Sequence, residues 1–414
     1  MRVLYIVGSC LRKNTSANMS HNAYIQGLLE NSCNVDILMA KDSWGNEDSK
    51  LPIWEDVCYY AYSATAPQDK IRNWVRKLIP EKKAAKTTNV AASPAPSVSD
   101  CQKSRLRSWM KQVFYWIFPN DPCYPLERTW LVNASRFHSQ TKYDLVISNS
   151  SPAASHKLAY QLLQDKKISC TRWIQIWEDP WYADLYSSKS QIIFQEEHRL
   201  LAAATEIYYV SPLTLDYQKE LFPDCASKMK HIPLPYLTYT QNTTVHDVCS
   251  FGYFGDYYSS TRNLLPFYQA LRASGCRGYI YGDSDLQLES TQQISVSGRV
   301  TLDILEQVQE KTGVLVHLCN LRGGQIPGKI YHYSATNKPI LFILDGTEEE
   351  IQKIFEYFQP FQRYEFCKND VDNILDAVGT IKNSIESRVW SPVLEFSPKE
   401  VVRVLIKESY SAKK

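Results

Sequence analysis

The sequence predicts an α/β protein built from two parallel-sheet domains that face each other across a cleft. The chain has 414 residues, which exceeds what one hydrophobic core usually supports. Short apolar runs alternate with helical patterns along most of it, as strands and helices do in parallel sheets. Prolines within 231–235 favour an extended exit from the first series. We expect a first domain over 1–235, a second over 236–395 and a final helix within 396–414.

The first domain opens with a strand predicted over 3–7, an apolar run that ends at Gly8. A polar loop over 9–20 and a helix over about 21–29 follow, and 35–39 form the next strand. Gly8 alone lacks the glycine spacing of a dinucleotide fingerprint, so we expect its loop to line a cleft without holding a cofactor. The other predicted elements are strands over 144–148, 171–177 and 206–211 and helices over 156–163 and 190–203.

The second domain repeats this alternation. Its predicted strands cover 250–253, 278–281, 313–318 and 339–344, and a further short strand is predicted to end at Gly298-Arg299-Val300. Its predicted helices cover 262–273, 302–309 and 328–334. A closing helix is expected to begin at Pro398 with Ser397 as its N-cap, because serine caps helices and proline suits the first helical position.

An insertion over about 64–125 interrupts the first series, and part of it is too poor in apolar residues to order itself. Two stretches, 71–79 and 105–118, mix basic residues with tryptophan and aliphatic residues at helical spacing, as in helices that lie in a membrane interface. Ordinary helices packed on the domain explain the same pattern equally well. Peripheral contact with the inner face of the cytoplasmic membrane is therefore one of two open expectations.

Composition argues against several other classes of protein. Lys+Arg 46 against Asp+Glu 44 leaves a net charge of +2, so no basic field favours nucleic acid as a partner. The 11 cysteines include no Cys-x-x-Cys pair, which favours reduced thiols over disulfides or a zinc site. The first apolar run is too short for a signal peptide or a membrane span. A cytoplasmic protein is expected.

Two loops have the composition of anion sites. In one, Gly323 and Gly324 precede Lys329 between a strand and a helix, so that backbone N–H groups and a helix N-terminus could face a phosphate. A tight turn followed by a solvated lysine explains the same residues. In the other, a strand ends at Gly255 and Arg262 opens the next predicted helix, where the helix dipole disfavours an unliganded cation.

Further motifs lie along both halves of the chain. In the second half they are Tyr253-Phe254-Gly255, Arg262-Asn263, Gly298-Arg299-Val300, Asn320, the segment 325–331 and Lys338-Pro339-Ile340-Leu341. In the first half they are the segment 144–148, Ser151-Pro152, Ser155-His156, Trp173-Ile174 and Asp179-Pro180-Trp181. Together these motifs resemble bacterial GT-B glycosyltransferases of the group that builds surface polysaccharides. The resemblance spans nearly the whole chain apart from the insertion.

The resemblance implies a nucleotide-sugar donor of the UDP or GDP type in the second domain and a glycan or lipid-linked acceptor in the first. It also implies that Arg262 neutralises the donor diphosphate with help from Lys329, because fixed cations stabilise a leaving diphosphate. The other expected donor contacts are Gly255, Gly298, Arg299, Val300, Asn320, Gly324, Gln325 and His332. Many retaining relatives carry glutamates where this chain has Gly324 and His332, and retention is the favoured outcome. The final helix is implied to return to the first domain.

The acceptor side of the cleft is expected to include Gly8, Ser9, Ser151, His156, Glu178 and Asp179. His156 and the two acids are candidates for a general base that takes the proton of the acceptor hydroxyl. Helix packing for His156 and a turn ahead of Pro180 for the acids are the alternative explanations.

No metal or cofactor is expected to be required. The motif Asp283-Ser284-Asp285 is similar to the carboxylate pair of metal-dependent glycosyltransferases, but its place at a strand end favours a turn. Two other functions stay open: a nucleotide-sugar epimerase of the same fold, and a non-catalytic sugar-binding or scaffold protein.

Overall fold

The computed structural model of the chain describes residues 1–42, 47–48, 51–65, 122–185, 189–237, 249–384 and 388–411. The two stretches predicted to contact a membrane, 71–79 and 105–118, lie outside the described residues. Within the described part of the chain, no helix combines the length and apolar character needed to cross a bilayer.

The first domain is a parallel sheet covered by helices. Its strands are β1 (Arg2–Val7), β2 (Asn34–Ala40), β3 (Val57–Tyr62), β4 (Lys142–Ser150), β5 (Ser169–Trp177), β6 (Glu206–Tyr209) and β7 (Met229–His231). Its helices are α1 (Ser16–Glu30), α2 (Arg128–Ala134), α3 (Ala154–Gln164), α4 (Gln191–Ala203) and α5 (Pro212–Leu221). Among the described residues the strand order is β3-β2-β1-β4-β5-β6-β7, with every neighbouring pair parallel.

The second domain repeats this architecture. Its strands are β8 (Ser250–Phe254), β9 (Arg277–Tyr281), β10 (Ile294–Ser297), β11 (Val314–Leu318), β12 (Ile340–Leu344) and β13 (Glu365–Lys368). The remaining helices are α6 (Leu265–Ser274), α7 (Leu302–Lys311), α8 (Lys329–Tyr333), α9 (Glu348–Phe358), α10 (Val371–Ser384) and α11 (Pro398–Ser411). Short 3₁₀ turns cover Ala226–Lys228, Gln359–Phe361 and Leu394–Phe396. The described strands follow the order β10-β9-β8-β11-β12-β13, again all parallel.

The apolar runs of the sequence form the centre of each sheet. Strands β8, β11 and β12 are buried along their whole length, as expected for parallel strands covered on both faces. In each sheet the order reverses once, between β1 and β4 and between β8 and β11. Ligands of such sheets bind beyond the carboxyl ends of the strands at this reversal, so each domain presents one such position.

Two helix starts differ from the prediction. Helix α6 begins at Leu265 and not at 262, with proline in its first turn. Arg262 therefore lies in the preceding loop, and the expectation that a helix dipole disfavours its charge was wrong. Helix α1 begins at Ser16, because the Thr15 side chain accepts a hydrogen bond from the N–H of Asn18 and caps the helix. The polar loop before it is therefore shorter than predicted.

The prediction did not include seven of the elements, namely β3, β7, β13, α2, α5, α9 and α10. Strand β3 pairs with β2 and exposes most of its side chains, although its residues are apolar or aromatic, so the sequence did contain a strand signal here. Helix α9 starts with a capping box formed by Thr347 and Glu350, a local signal that the sequence does contain.

The final helix α11 packs against α1 of the first domain. A side-chain carbon built at Gly27 of α1 would lie 2.2 Å from the carbonyl oxygen of Pro398 and 2.6 Å from Val402. The Asn31 side chain, just beyond α1, donates a hydrogen bond to the carbonyl of Lys399 at 2.9 Å. The chain thus passes from the second sheet back to the first domain.

Candidate active site

A cavity of about 190 Å³ lies at the carboxyl ends of β8 and β11, where the second sheet reverses its strand order. Its walls combine the loop after β8, the end of β11 and the start of α8, and Ser16 of the first domain also borders it. The cations Arg262 and Lys329 both line the cavity. The two loops that the sequence marked as anion sites therefore meet at one place.

Arg262 is held at this cavity by two described hydrogen bonds. Its Nε donates to Oδ1 of Asn320 at 2.7 Å, and its Nη1 donates to the carbonyl of Asp256 at 3.2 Å. Because both partners belong to strand-end loops of the same sheet, the guanidinium has a defined position. A planar group held in this way suits an oxygen anion such as a phosphate.

Lys329 opens α8 and donates from Nζ to the carbonyl oxygen of Phe254. Burial lowers the pKa of Lys329 to about 8, although the nearby Asp256 opposes this shift. An anion in the cavity would replace part of the hydration that burial removes, so Lys329 is a cation that gains from a ligand. Helix α8 spans five residues, so the side chains carry most of the positive charge.

Arg299 lies at the exposed rim of the site and neutralises Asp256. Its side chain is 69% exposed, and its Nε lies 3.0 Å from Oδ1 of Asp256 and 3.2 Å from Oδ2 of Asp283. Burial alone would raise the pKa of Asp256, but hydrogen bonds from Arg299 and from the N–H of Asp283 lower it. Gly298 and Val300 flank Arg299 at this rim.

The Asp283-Ser284-Asp285 motif forms a turn. Asp285 accepts hydrogen bonds from the N–H and the hydroxyl of Ser259, at 2.7 and 2.6 Å. The Ser284 hydroxyl donates to the carbonyl of Tyr257 at 2.5 Å, and Asp283 pairs with Arg299. These bonds describe the turn that the strand-end position favoured.

The glycine pair before α8 contacts the first domain. Gly323 and Gly324 have φ values of +90° and +65°, which favour glycine. A side-chain carbon at Gly323 would lie 2.4 Å from Leu185, and one at Gly324 would lie 2.8 Å from Leu213. The Gly323 N–H donates to Glu350, and the Gly324 carbonyl accepts from Ser211 at 2.6 Å. The glycines therefore permit a close approach of the two domains, and a donor contact by Gly324 stays a prediction.

Gln325 crosses the cleft from the second domain to the first. Its Nε2 donates to Oδ1 of Asp179 at 2.9 Å and to Oδ1 of Asp184 at 3.2 Å. The main-chain carbonyl of Gln325 accepts from Nδ2 of Asn320 at 2.9 Å. Asn320 thus joins Gln325 to Arg262.

The first domain presents acidic residues after β5. The Asp179 carboxylate meets Gln325 of the second domain, and desolvation there and the charge of Asp184 raise its pKa to about 6. Burial and the charge of Asp179 raise the pKa of Glu178 well above its usual range, and its side chain is only 10% exposed. Asp179 is therefore the better proton acceptor near neutral pH, because a base works best with a pKa close to the working pH.

His156 lies in the core of the first domain and not at the cleft surface. Its ring is fully buried 4.1 Å from that of Trp177, and its Nδ1 lies 2.8 Å from the Ser148 hydroxyl. Burial lowers the pKa of His156 to about 3. This geometry fits the packing alternative, and we assign His156 no proton transfer.

His332 is the fourth residue of α8, whose Lys329 and Tyr333 line the cavity. Burial and the adjacent Lys329 charge lower the pKa of His332 to about 4, so it is neutral near pH 7. Its predicted contact with the donor stays a prediction.

The loops after β1 and β4 contact each other in the first domain. The Gly8 N–H donates to the Ser155 hydroxyl at 2.9 Å, and a side-chain carbon at Gly8 would lie 2.7 Å from Pro152. The Ser9 hydroxyl donates to Asn18 at 2.5 Å. These contacts fix the two loops against each other, and their part in acceptor binding stays a prediction.

Sequence reasoning missed His21, which contacts the loop after β4. Its Nε2 donates to the carbonyl of Ser151 at 3.3 Å, its Nδ1 faces the Tyr5 hydroxyl at 3.1 Å, and Nδ1 lies 3.9 Å from Glu178. Burial lowers the pKa of His21 to about 4. A histidine in the helix after β1 was the available signal.

His198, Asp224 and Cys225 form a group with metal-ligand chemistry away from the cleft, with ligand atoms within 4.8 Å of one another. His198 and Asp224 form a partly exposed pair at 2.7 Å, and Cys225 belongs to the core of the first domain. The ion pair between His198 and Asp224 and the packing of Cys225 explain why these side chains lie together, so we assign no metal to them.

No family model matches the chain, and no curated protein matches it. Solved structures match over its whole length. HepE from Anabaena in complex with UDP-glucose is 11% identical with a TM-score of 0.51, and the match covers 100% of both chains. The lipopolysaccharide outer core galactosyltransferase WaaB is 10% identical with a TM-score of 0.47 and 100% coverage of both chains. Sucrose-phosphate synthase from Thermosynechococcus elongatus is 12% identical with a TM-score of 0.47, covering 100% of this chain and 97% of that one.

At such identities the likeness establishes the fold alone, and the match to HepE carries it. Two parallel-sheet α/β domains over the whole chain, in the GT-B arrangement, confirm the predicted fold class.

Proposed function

We propose that this protein is a glycosyltransferase that moves a sugar from a nucleoside-diphosphate donor to a glycan acceptor. The observation that carries the proposal is the convergence of Arg262 and Lys329 on one cavity at the strand-order reversal of the second sheet. Two fixed cations at that position suit a pyrophosphate, whose charge grows as the glycosidic bond to the donor breaks. HepE, the solved structure with the same fold, was crystallised with UDP-glucose, which supports a nucleotide sugar.

The first domain supplies the acceptor side in this proposal. Asp179 faces the cleft with a pKa near 6 and lies beside Gln325 of the second domain. We propose retention at the anomeric carbon, which the sequence resemblance favours, with Asp179 orienting the acceptor hydroxyl. Inversion in the product would instead assign Asp179 as the base.

The finer assignment rests on the sequence resemblance. We propose a lipid-linked acceptor in surface polysaccharide biosynthesis, no required metal, and a cytoplasmic location with contact to the inner membrane face through 71–79 and 105–118. Sedimentation with anionic vesicles, compared between the full chain and a variant with the basic residues of 71–79 replaced, tests the membrane contact.

A thermal-shift screen tests the donor. We expect UDP, GDP or one of their sugar conjugates to raise the melting temperature, because a ligand at 100 times its Kd stabilises the native state by about 2.7 kcal/mol. Release of nucleoside diphosphate from the sugar conjugate should accompany binding. An altered sugar without release of diphosphate would identify an epimerase, and binding without any reaction would identify a sugar-binding protein.

Arg262→Ala is the matching variant. Loss of one stabilising cation should slow diphosphate release by about 100-fold, equivalent to about 3 kcal/mol. Arg272→Ala serves as the control, because Arg272 is exposed on α6 and contacts the ring of Tyr268. Equal rates in wild type and Arg262→Ala would contradict the proposal.

A further inference from the structure

A buried carboxylate on α4 holds the acidic loop, which we define as residues 178–185. Glu197 is 0% exposed, its Oε2 accepts from the N–H of Tyr182 at 2.7 Å, and its Oε1 accepts from the N–H of Trp181 at 3.3 Å. The proposed transfer makes no use of Glu197. Its described hydrogen bonds go to the loop that carries Asp179.

Glu197 is an expensive residue to bury. Taking a carboxylate out of water costs free energy, and burial raises the pKa of Glu197 to about 7, although the two N–H bonds oppose the shift. A leucine of similar size would fill the same space without that cost. The carboxylate therefore contributes something that packing does not, namely two hydrogen bonds that fix where the acidic loop turns.

The acidic loop is in turn bonded to the second domain. Asp179 and Asp184 both accept from Nε2 of Gln325. The main-chain carbonyl of Gln325 accepts from Nδ2 of Asn320. The Oδ1 of Asn320 in turn accepts from Nε of Arg262 at 2.7 Å. A continuous chain of hydrogen bonds thus runs from α4, through the acidic loop and across the cleft, to the arginine of the anion cavity.

We propose that Glu197 is a positioning residue that couples the acidic loop to Arg262 through Gln325 and Asn320. Because the side chain of Gln325 meets two acceptors at once, a shift of the loop pulls on this residue. Its main-chain carbonyl then moves with it and, through Asn320, changes the aim of the guanidinium. Coupling of this kind is reciprocal, so an anion bound at Arg262 should also order the acidic loop. The choice of a nucleotide as the ligand rests on the proposed function. The coupling between 178–185 and 320–328 does not depend on that function.

Hydrogen exchange tests the coupling without a nucleotide. We expect Glu197→Gln, which keeps the size but removes the charge and one acceptor, to raise amide exchange severalfold in 178–185 and also in 320–328 of the other domain. A purely local role would loosen 178–185 alone. Unchanged exchange in 320–328 would therefore overturn the proposal.

Glu206→Gln is the matched control. Glu206 is a partly buried carboxylate of β6 that is bonded to Arg172, Tyr208 and Lys230. Its loss should lower stability without changing exchange in 320–328. Equal changes in both variants would reduce the effect of Glu197→Gln to general destabilisation and overturn the coupling.

A double-mutant cycle on UDP affinity gives the second readout. Each of Glu197→Gln and Asn320→Ala should weaken UDP binding by about fivefold or more, and the double variant should bind no worse than the weaker single variant. Losses that multiply in the double variant would overturn the coupling. Failure of the wild type to bind any nucleotide would instead reject the proposed function, and the exchange experiment would then decide the coupling.

Discussion

At the residue scale, Lys329 and Lys338 show how similar side chains take different roles. Lys329 lines the anion cavity. Lys338, which belongs to one of the motifs that carry the sequence resemblance, donates from Nζ to the carbonyls of Gln309, Glu310 and Thr312 at 2.5, 3.0 and 2.9 Å. These carbonyls end α7, so Lys338 caps that helix from across the fold.

The lowered pKa of Lys329 predicts a pH dependence of nucleotide binding. Its pKa of about 8 means that the ammonium loses its proton as the pH rises through 8 in the unliganded protein. Binding of a diphosphate needs the charged form, so the Kd for UDP should rise about tenfold between pH 7 and pH 9. Isothermal titration calorimetry across this range measures it.

Lys329→Arg is the control for this pH dependence, because arginine keeps its charge throughout. Its Kd should stay level between pH 7 and pH 9. The phosphate itself adds little, since its second ionisation near pH 6 is complete. A wild-type Kd that does not change over this range would contradict a charged contact by Lys329.

At the element scale, the loop between β11 and α8 joins the two domains. Its glycines have positive φ and leave no room for side chains beside Leu185 and Leu213. Local composition predicted a loop whose backbone N–H groups face a phosphate, with a tight turn as the alternative. The contact with the first domain explains why positions 323 and 324 both need glycine, since each has a positive φ and no space for a side chain.

Two glycine substitutions should therefore have opposite effects on stability. Gly323→Ala must strain a φ of +90° and displace Leu185, at a cost of about 1–3 kcal/mol. Gly379→Ala, inside α10 with no heavy atom within 4 Å of the added carbon, should stabilise by about 0.5–1 kcal/mol. Urea unfolding of both variants gives the comparison, and the same sign for both would show that the interdomain loop is not constrained as described.

At the scale of the whole molecule, α11 ties the end of the chain to the first domain. Val402 is 0% exposed in the contact with α1, whereas Val404 on the same helix is 45% exposed. Because the helix follows the second domain in sequence, its docking also limits how far the two domains can separate.

Val402→Ala and Val404→Ala test this docking as a matched pair. Removing two methyl groups from the buried site should cost about 2 kcal/mol of the free energy of unfolding, and the exposed site should lose little. Denaturant unfolding measures both. Equal losses would mean that α11 does not rest on α1 in solution.

The sequence by itself determined the alternation of strands and helices, the GT-B fold class and the two cations that line the cavity of the second domain. Apolar runs, strand-end glycines and the residues that follow them are local features, and local features are what a linear reading can detect. The true start of α6 at Leu265, which leaves Arg262 in the preceding loop, also has a local signal, namely Pro266 in the first turn of the helix.

Only the tertiary structure decided which of these residues meet. Gln325 and Asp179 lie 146 positions apart, Ser211 and Gly324 lie 113 apart, and no local propensity pairs them. Tertiary packing also put His156 into a core and made Gly323 a domain contact. Such pairings depend on the packing of the whole fold, which no short stretch of the sequence specifies.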